Sequence, residues 1–83
     1  MSQKEHEKRT YHAEVRKFKE WCVKHKIAYY TFNDAPSDSI CAISMDEYAV
    51  NTHRHKLDED NESYFINEEH YEEWEEEQTL HFR

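Results

Sequence analysis

The sequence predicts an α+β domain with an N-terminal helix, an antiparallel sheet of three or four strands and a short acidic C-terminal helix. Helical periodicity near the N-terminus, β-rich runs in the middle and a capped acidic run near the C-terminus support this order. The chain has 83 residues, which suits one domain over residues 1–83. Its twelve aromatic residues can supply a core, although the apolar fraction is only 36%.

The first helix is predicted over residues 3–26, because apolar residues there recur at spacings of four, three and four. These residues are Tyr11, Val15, Phe18 and Cys22. Trp21 widens the apolar face they form. The opposite face is basic and carries Lys8, Arg16, Lys17, Lys19, Lys24 and Lys26. Lysines near the C-terminal end also suit the helix dipole.

Two strands and a loop are predicted after this helix. Residues 29–32 are β-rich, and residues 33–39 contain the only proline and form a loop. Residues 40–45 form a second strand. Alternation predicts one face of that strand to consist of Cys41, Ile43 and Met45.

The chain contains no glycine, so its turns must be made by Asn and Asp, which tolerate positive φ. The candidate turns are Asn33-Asp34, Asp46-Glu47 and Asp60-Asn61. Asp46-Glu47 is predicted to be a hairpin turn into a third strand over residues 48–53. One face of that strand would carry Tyr48, Val50 and Thr52.

The C-terminal part begins with a short apolar run at residues 64–66, either a fourth strand or the start of a helix. Asn67 is a good N-cap, and Ile66 and Tyr71 fit a hydrophobic staple across it. A helix is therefore predicted over residues 68–78.

Several classes of function are disfavoured by composition. Without glycine the chain has no glycine-based phosphate loop or dinucleotide fingerprint. The sequence has no run of 18 apolar residues, so no membrane span is predicted. The N-terminus lacks the apolar core of a secretory signal. We therefore expect a cytoplasmic protein. Cys22 and Cys41 do not make a disulfide framework and are expected to be buried thiols.

Charge is distributed unevenly along the chain. Residues 1–27 have a formal net charge of +4, residues 28–57 of −2 and residues 58–83 of −10, giving −8 in total. Residues 68–77 alone carry seven carboxylates, which is about one per 2 Å of helix, close to the one per 1.7 Å of duplex DNA. Four like-charged pairs at four-residue spacing there cost roughly 1–2 kcal/mol together.

This acidic segment predicts a protein-binding surface that attracts basic partners. The candidate partner-binding residues are Asp58, Glu59, Asp60, Glu62, Glu68, Glu69, Glu72, Glu73, Glu76 and Glu77. A solvated acidic face with no partner is the alternative. The aromatic residues Tyr64, Tyr71 and Trp74 would be interface anchors or core residues, and we favour the core for Tyr71 and Trp74.

The acidic aromatic stretch over residues 64–77, YFINEEHYEEWEEE, together with the small size and the α-β-β-β-α order, resembles small acidic phage-encoded DNA-mimic inhibitors of the anti-CRISPR and anti-restriction type. The resemblance is one of character over about a third of the chain, and the basic first helix departs from it. It implies an inhibitor or regulator that occupies the nucleic-acid-binding site of a nuclease or transcription protein, in the cytoplasm of a host cell. It implies no cofactor.

Other functions remain as alternatives. The protein could be an interaction or assembly protein, even a homodimer, that oligomerises through its basic helix and acidic segment. Direct binding of nucleic acid is opposed by the negative total charge. A zinc site is conceivable from one set of residues, namely Cys22, His25, His53 and His55. Catalysis is not expected, because nothing places a carboxylate or cysteine in a sheltered pocket.

Overall fold

The computed structural model describes the backbone of residues 3–58 and 62–81 and the side chains of residues 10–58 and 62–78. Its elements in chain order are helix α1 (Gln3–His25), strands β1 (Tyr29–Thr31), β2 (Ser39–Ser44) and β3 (Ser63–Asn67), and helix α2 (Glu68–His81). The predicted α+β class is confirmed. The predicted turn at Asp60-Asn61 lies outside the described residues. Within the described part of the chain, no helix is both long and apolar enough to cross a bilayer.

The sheet has the strand order β1-β3-β2, and both pairings are antiparallel. The apolar run at residues 64–66 therefore lies in the central strand. Of the two possibilities left open by the sequence, a fourth strand or the start of a helix, the strand is correct. Phe65 and Ile66 are both fully buried, as expected for a strand that is covered on its two faces.

The predicted third strand over residues 48–53 is wrong. Asp46 caps a short 3-10 helix, Glu47–Ala49, by accepting a hydrogen bond from the Tyr48 N–H at 3.0 Å. Asn51 then has φ = 66°, which reverses the chain. Because local capping and a left-handed asparagine override the alternating pattern, the segment makes only an isolated bridge to β2. A second 3-10 helix, Arg54–Lys56, follows.

The predicted common face of Cys41, Ile43 and Met45 is also wrong. A register shift between Cys41 and Ile43 marks a bulge in β2. Cys41 consequently packs with Phe65 on one side of the sheet, whereas Ile43 belongs to the cluster on the other side. Met45 lies beyond the strand and is exposed. A bulge reverses which face each later residue occupies, and alternation cannot reveal it.

Both helices cover the same face of the sheet. Phe18 and Trp21 of α1 lie 5.0 and 5.2 Å from Trp74 of α2, measured between ring centroids. The core cluster on this face joins them to apolar residues of β2 and β3. The other face is covered by loop residues around Phe65, among them Ala35 and Leu57.

Helix α1 ends at a residue in the left-handed conformation. Lys26 has φ = 58° and its N–H donates to the Val23 carbonyl at 3.2 Å. The N–H of Ile27 donates to the Cys22 carbonyl at 2.8 Å, which completes a Schellman motif. Glycine is the usual residue at this position, because any Cβ there costs roughly 1–2 kcal/mol.

Replacing Lys26 with glycine is expected to raise the free energy of unfolding by about 0.5–1 kcal/mol, because the steric cost disappears and only part of the gain is lost to a freer unfolded chain. Urea unfolding measures this. Lys24→Gly removes the same charge inside α1 and is the matched control, expected to lower the free energy by about 1 kcal/mol. A destabilised Lys26→Gly variant would contradict the assignment.

The two cysteines are free, fully buried thiols. Burial raises the pKa of Cys22 to about 12 and that of Cys41 to about 11, the latter partly offset by hydrogen bonds to Ser63 and Ile43. Unfolded thiols have a pKa of about 8.5. The folded state therefore holds these protons more tightly, and the stabilisation is present below the unfolded pKa and lost as the pH rises toward the folded pKa.

We accordingly expect the free energy of unfolding to fall between about pH 8.5 and pH 11, by about 1.4 kcal/mol per pH unit for each thiol. Urea unfolding at a series of pH values measures the slope. In Cys41→Ala the slope is expected to be shallower by one thiol. An unchanged slope in that variant would show that other groups cause the alkaline loss.

Candidate protein-binding surface

Helix α2 begins where the sequence predicts. The Asn67 Oδ1 accepts a hydrogen bond from the Glu69 N–H at 3.0 Å, which confirms the N-cap. Ile66 and Tyr71, the residues of the predicted staple, belong to the same core cluster. The helix continues to His81, three residues beyond the predicted end.

The inward side of α2 is held by two aromatic residues. Tyr71 is 8% exposed and Trp74 is 4% exposed, so both are core residues. The Trp74 Nε1–H donates to the Ala42 carbonyl at 3.2 Å, which satisfies its polar atom inside the core. These contacts fix which side of α2 faces solvent.

A row of four exposed carboxylates runs along the outward side of α2, opposite Tyr71 and Trp74. We call this row the acidic stripe, and it consists of Glu69, Glu72, Glu73 and Glu76. Their spacings of three, one and three residues confine them to roughly 100° of the helix circumference. Within the described residues, Glu69, Glu72 and Glu76 make no side-chain ion pair.

Two histidines lie beside carboxylates of α2. The His53 Nε2 is 3.8 Å from the Glu68 Oε1, and the His70 Nδ1 is 3.9 Å from the Glu73 Oε2. Of the remaining predicted residues on α2, Glu68 is exposed at the N-terminal end and Glu77 is half-buried.

The other predicted acidic residues lie outside α2. Glu62 directly precedes β3 and Glu68 directly follows it, so the five-residue strand holds them roughly 17–20 Å apart. Asp58 lies earlier still, after the second 3-10 helix, and is exposed. Glu59 and Asp60 lie outside the described residues. The predicted ten-residue surface is therefore not one continuous row.

Glu62 lines an open cavity of about 350 Å³. The residues around the cavity are Tyr11, His12, Val15, Thr31, Asn33, Glu62, Ser63 and Tyr64. The Glu62 backbone carbonyl accepts hydrogen bonds from the Tyr11 hydroxyl and from the Met45 N–H. Burial raises the pKa of Tyr11 above its usual range, and the neighbouring Tyr64 and Glu62 raise it further. The Tyr11 hydroxyl is therefore protonated and can act as the donor in this hydrogen bond.

The basic face of α1 and the acidic stripe are on neighbouring helices. Arg16, Lys17 and Lys24 of α1 are exposed, and the two helices contact each other through Phe18, Trp21 and Trp74. The two helices that cover one face of the sheet therefore carry exposed residues of opposite charge.

The zinc site considered as an alternative from the sequence is not assembled in the described part of the chain. Cys22 is buried in the core, whereas His25 is exposed on the last turn of α1. His53 and His55 do lie together, with rings stacked at 5.5 Å. Among the described residues, no group of three or more His, Cys, Asp and Glu side chains is placed to hold a metal ion.

Two features of the surface were not foreseen from the sequence. Tyr48 is 82% exposed on the 3-10 helix that replaces the predicted strand. The cavity beside Glu62 joins residues about 50 positions apart, and no local pattern signals such a meeting.

No protein-family model, curated protein or solved structure matches this chain.

Proposed function

We propose that the protein binds a basic partner protein through the acidic stripe and acts as an inhibitor or regulator that occupies the partner's nucleic-acid-binding site. The observation that carries the proposal is the row of four carboxylates on the outward side of a helix whose inward side is anchored in the core. Such a surface is preorganised, so a partner need not order it on binding.

The spacing of the stripe supports mimicry of a nucleic-acid strand. Glu69 and Glu76 are seven helical steps apart, which is about 10.5 Å of axial rise. Four charges over that length give one per roughly 3.5 Å, close to the 3.4 Å between phosphates along one DNA strand. The stripe thus offers a basic groove the average axial charge density of a single strand, in steps of about 4.5, 1.5 and 4.5 Å.

The energetics of α2 are consistent with a use for these charges. Glu69 and Glu73, like Glu72 and Glu76, are like-charged pairs at four-residue spacing, each of which destabilises a helix by about 0.2–0.5 kcal/mol. Glu76 also lies toward the negative end of the helix dipole. A small domain has a narrow stability margin, so carboxylates kept at unfavourable positions favour a binding role.

The test is affinity capture from a bacterial lysate in about 50 mM and about 500 mM salt, with duplex DNA as competitor. We expect basic nucleic-acid-binding proteins to be captured at low salt, and the specific partner to be released by DNA. Captured proteins that DNA cannot displace would contradict occupation of a nucleic-acid-binding site.

A second candidate function is assembly through the two charged helices of this chain. It is favoured by the exposed basic face of α1 beside the acidic stripe. Sedimentation of the purified protein at low and high salt separates the two functions. A dimer that dissociates as the salt rises supports assembly, and a monomer at both salt concentrations supports the inhibitor.

A further inference from the structure

We propose that the cavity beside Glu62 receives one basic side chain, an arginine, of the partner protein. The inference rests on the proposed function and assigns a second contact to the same partner. The cavity and the acidic stripe are built from different parts of the chain, because the cavity is lined from α1, from β1 and the loop after it, and from the start of β3, whereas the stripe lies on α2.

The walls of the cavity favour a cation with an apolar stem. Aromatic rings from Tyr11, His12 and Tyr64 line it together with the aliphatic Val15. Tyrosine rings attract cations through their negative faces, and guanidinium groups also stack on them. The one carboxylate residue of the lining, Glu62, supplies the opposite charge.

The molecule already shows that Tyr64 attracts a cation. The Lys19 Nζ is 4.8 Å from the centroid of the Tyr64 ring and 6.0 Å from that of Tyr29. Lys19 is not among the residues that line the cavity, so it leaves the space itself unfilled. The positive charge of Lys19 disfavours a second cation nearby. The negative charge of Asp34 favours one, and Asp34 is next to the cavity residue Thr31, whose hydroxyl donates to it at 3.1 Å.

Glu62 is held in place through its backbone. Its carbonyl oxygen accepts from the Tyr11 hydroxyl on α1 and, at 3.3 Å, from the Met45 N–H after β2. These two bonds tie the start of β3 to two other parts of the fold. A change confined to the Glu62 carboxylate therefore leaves the local structure in place.

Size and total charge favour a single cationic side chain over a nucleotide or a larger ligand. The volume of about 350 Å³ is at the lower end of the roughly 300–1,000 Å³ of small-molecule sites, and the cavity is open to solvent. A nucleotide would bring phosphates against a formal net charge of −8. One side chain delivered by a protein already attracted to the acidic stripe fits both constraints.

The test uses the full ¹⁵N-labelled chain and N-acetyl-arginine methylamide, with the citrulline analogue as an uncharged control of the same shape. We expect the arginine probe to shift the amides of His12, Thr31, Asn33 and Ser63, with a dissociation constant on the order of millimolar. Equal shifts with the citrulline probe, or no shifts around the cavity, would overturn the proposal.

Two variants report the sign of the charge that the cavity selects. Glu62→Gln is expected to weaken probe binding about two- to fivefold, and Lys19→Met, which keeps an aliphatic stem, to strengthen it about two- to fivefold. Asp38→Asn, an exposed carboxylate elsewhere, is the matched control and should change little. Stronger probe binding in Glu62→Gln together with weaker probe binding in Lys19→Met would indicate an anion site and reject the proposal.

A last comparison separates this inference from the proposed function. Replacing all four residues of the acidic stripe by glutamine should abolish capture of the DNA-displaceable partner but leave the arginine probe bound at the cavity. Glu62→Gln should weaken partner capture about two- to fivefold. If Glu62→Gln loses the probe yet captures the partner as well as the native protein does, the cavity is not part of the interface, and the proposed function still stands.

Discussion

Reversing the four charges of the acidic stripe to lysine is expected to weaken binding of the basic partner by about 10³-fold or more, or about 4 kcal/mol. The stripe consists of Glu69, Glu72, Glu73 and Glu76. The variant replaces four attractions by four repulsions, and its formal net charge rises from −8 to 0. Both the affinity and the electrostatic steering of association should therefore be lost. Titration calorimetry with the captured partner measures the affinity, and stopped-flow mixing measures the association rate.

The fold of this variant is expected to survive. The side chains of the stripe face solvent, so no core contact is removed. New favourable pairs arise with the unaltered glutamates, from Glu68 to position 72 and from position 73 to Glu77. The circular dichroism spectrum and the urea midpoint should therefore stay close to those of the native protein.

The matched control places the same four charge reversals elsewhere. Glu14, Glu20, Asp38 and Glu47 are exposed carboxylates outside α2. Changing all four to lysine also brings the formal net charge from −8 to 0. If this control loses as much affinity as the stripe variant, total charge rather than the stripe determines binding, and the proposed site is wrong.

Replacing Trp74 by alanine is expected to lower the free energy of unfolding by about 3–5 kcal/mol. Trp74 is 4% exposed, lies 5.0 Å from Phe18 and 5.2 Å from Trp21 between ring centroids, and bonds the Ala42 carbonyl. A domain of this length is stable by about 4–12 kcal/mol, so the substitution removes a large share of the total. Urea unfolding followed by circular dichroism measures the loss.

Trp74→Phe separates packing from hydrogen bonding. Phenylalanine keeps an aromatic ring against Phe18 but has no N–H for the buried Ala42 carbonyl, so we expect a smaller loss of about 1–3 kcal/mol. A loss below about 1 kcal/mol for Trp74→Ala would mean that α2 is not anchored through this residue. The outward orientation of the acidic stripe would then lose its basis.

Binding and folding can be altered independently in α2. Its inward residues join the helix to the sheet, whereas its outward residues carry the charge. Because the two sets occupy opposite sides of one cylinder, a change to the stripe leaves Tyr71 and Trp74 in place. This separation is what makes a charge-reversal test of the proposed function decisive.

The elements that the sequence predicts well are those set by neighbours in the chain. Helix α1 was predicted to within one residue at its end, because its apolar spacing is continuous and no proline interrupts it. The start of α2 was predicted from the cap residue Asn67 and confirmed by its hydrogen bond. The acidic character of the candidate site likewise follows from residue identity alone.

The middle of the chain could not be predicted in the same way, because strand pairing depends on residues far apart in sequence. The alternation over residues 48–53 is genuine, but Asp46 and Asn51 turn the backbone away from a ladder. The bulge in β2 is invisible to a period-two pattern, since it appears only when the strand is placed against β3.

For this protein, the sequence by itself determined two helices, an α+β class and the concentration of negative charge near the C-terminus, because these depend on local spacing and composition. Tertiary structure alone decided that β3 is central, that residues 48–53 form no strand and that Glu62 lies beside Tyr11. The physical reason is that strand pairing and the hydrogen bond from Tyr11 to Glu62 join residues far apart in sequence, 51 positions in the case of that bond.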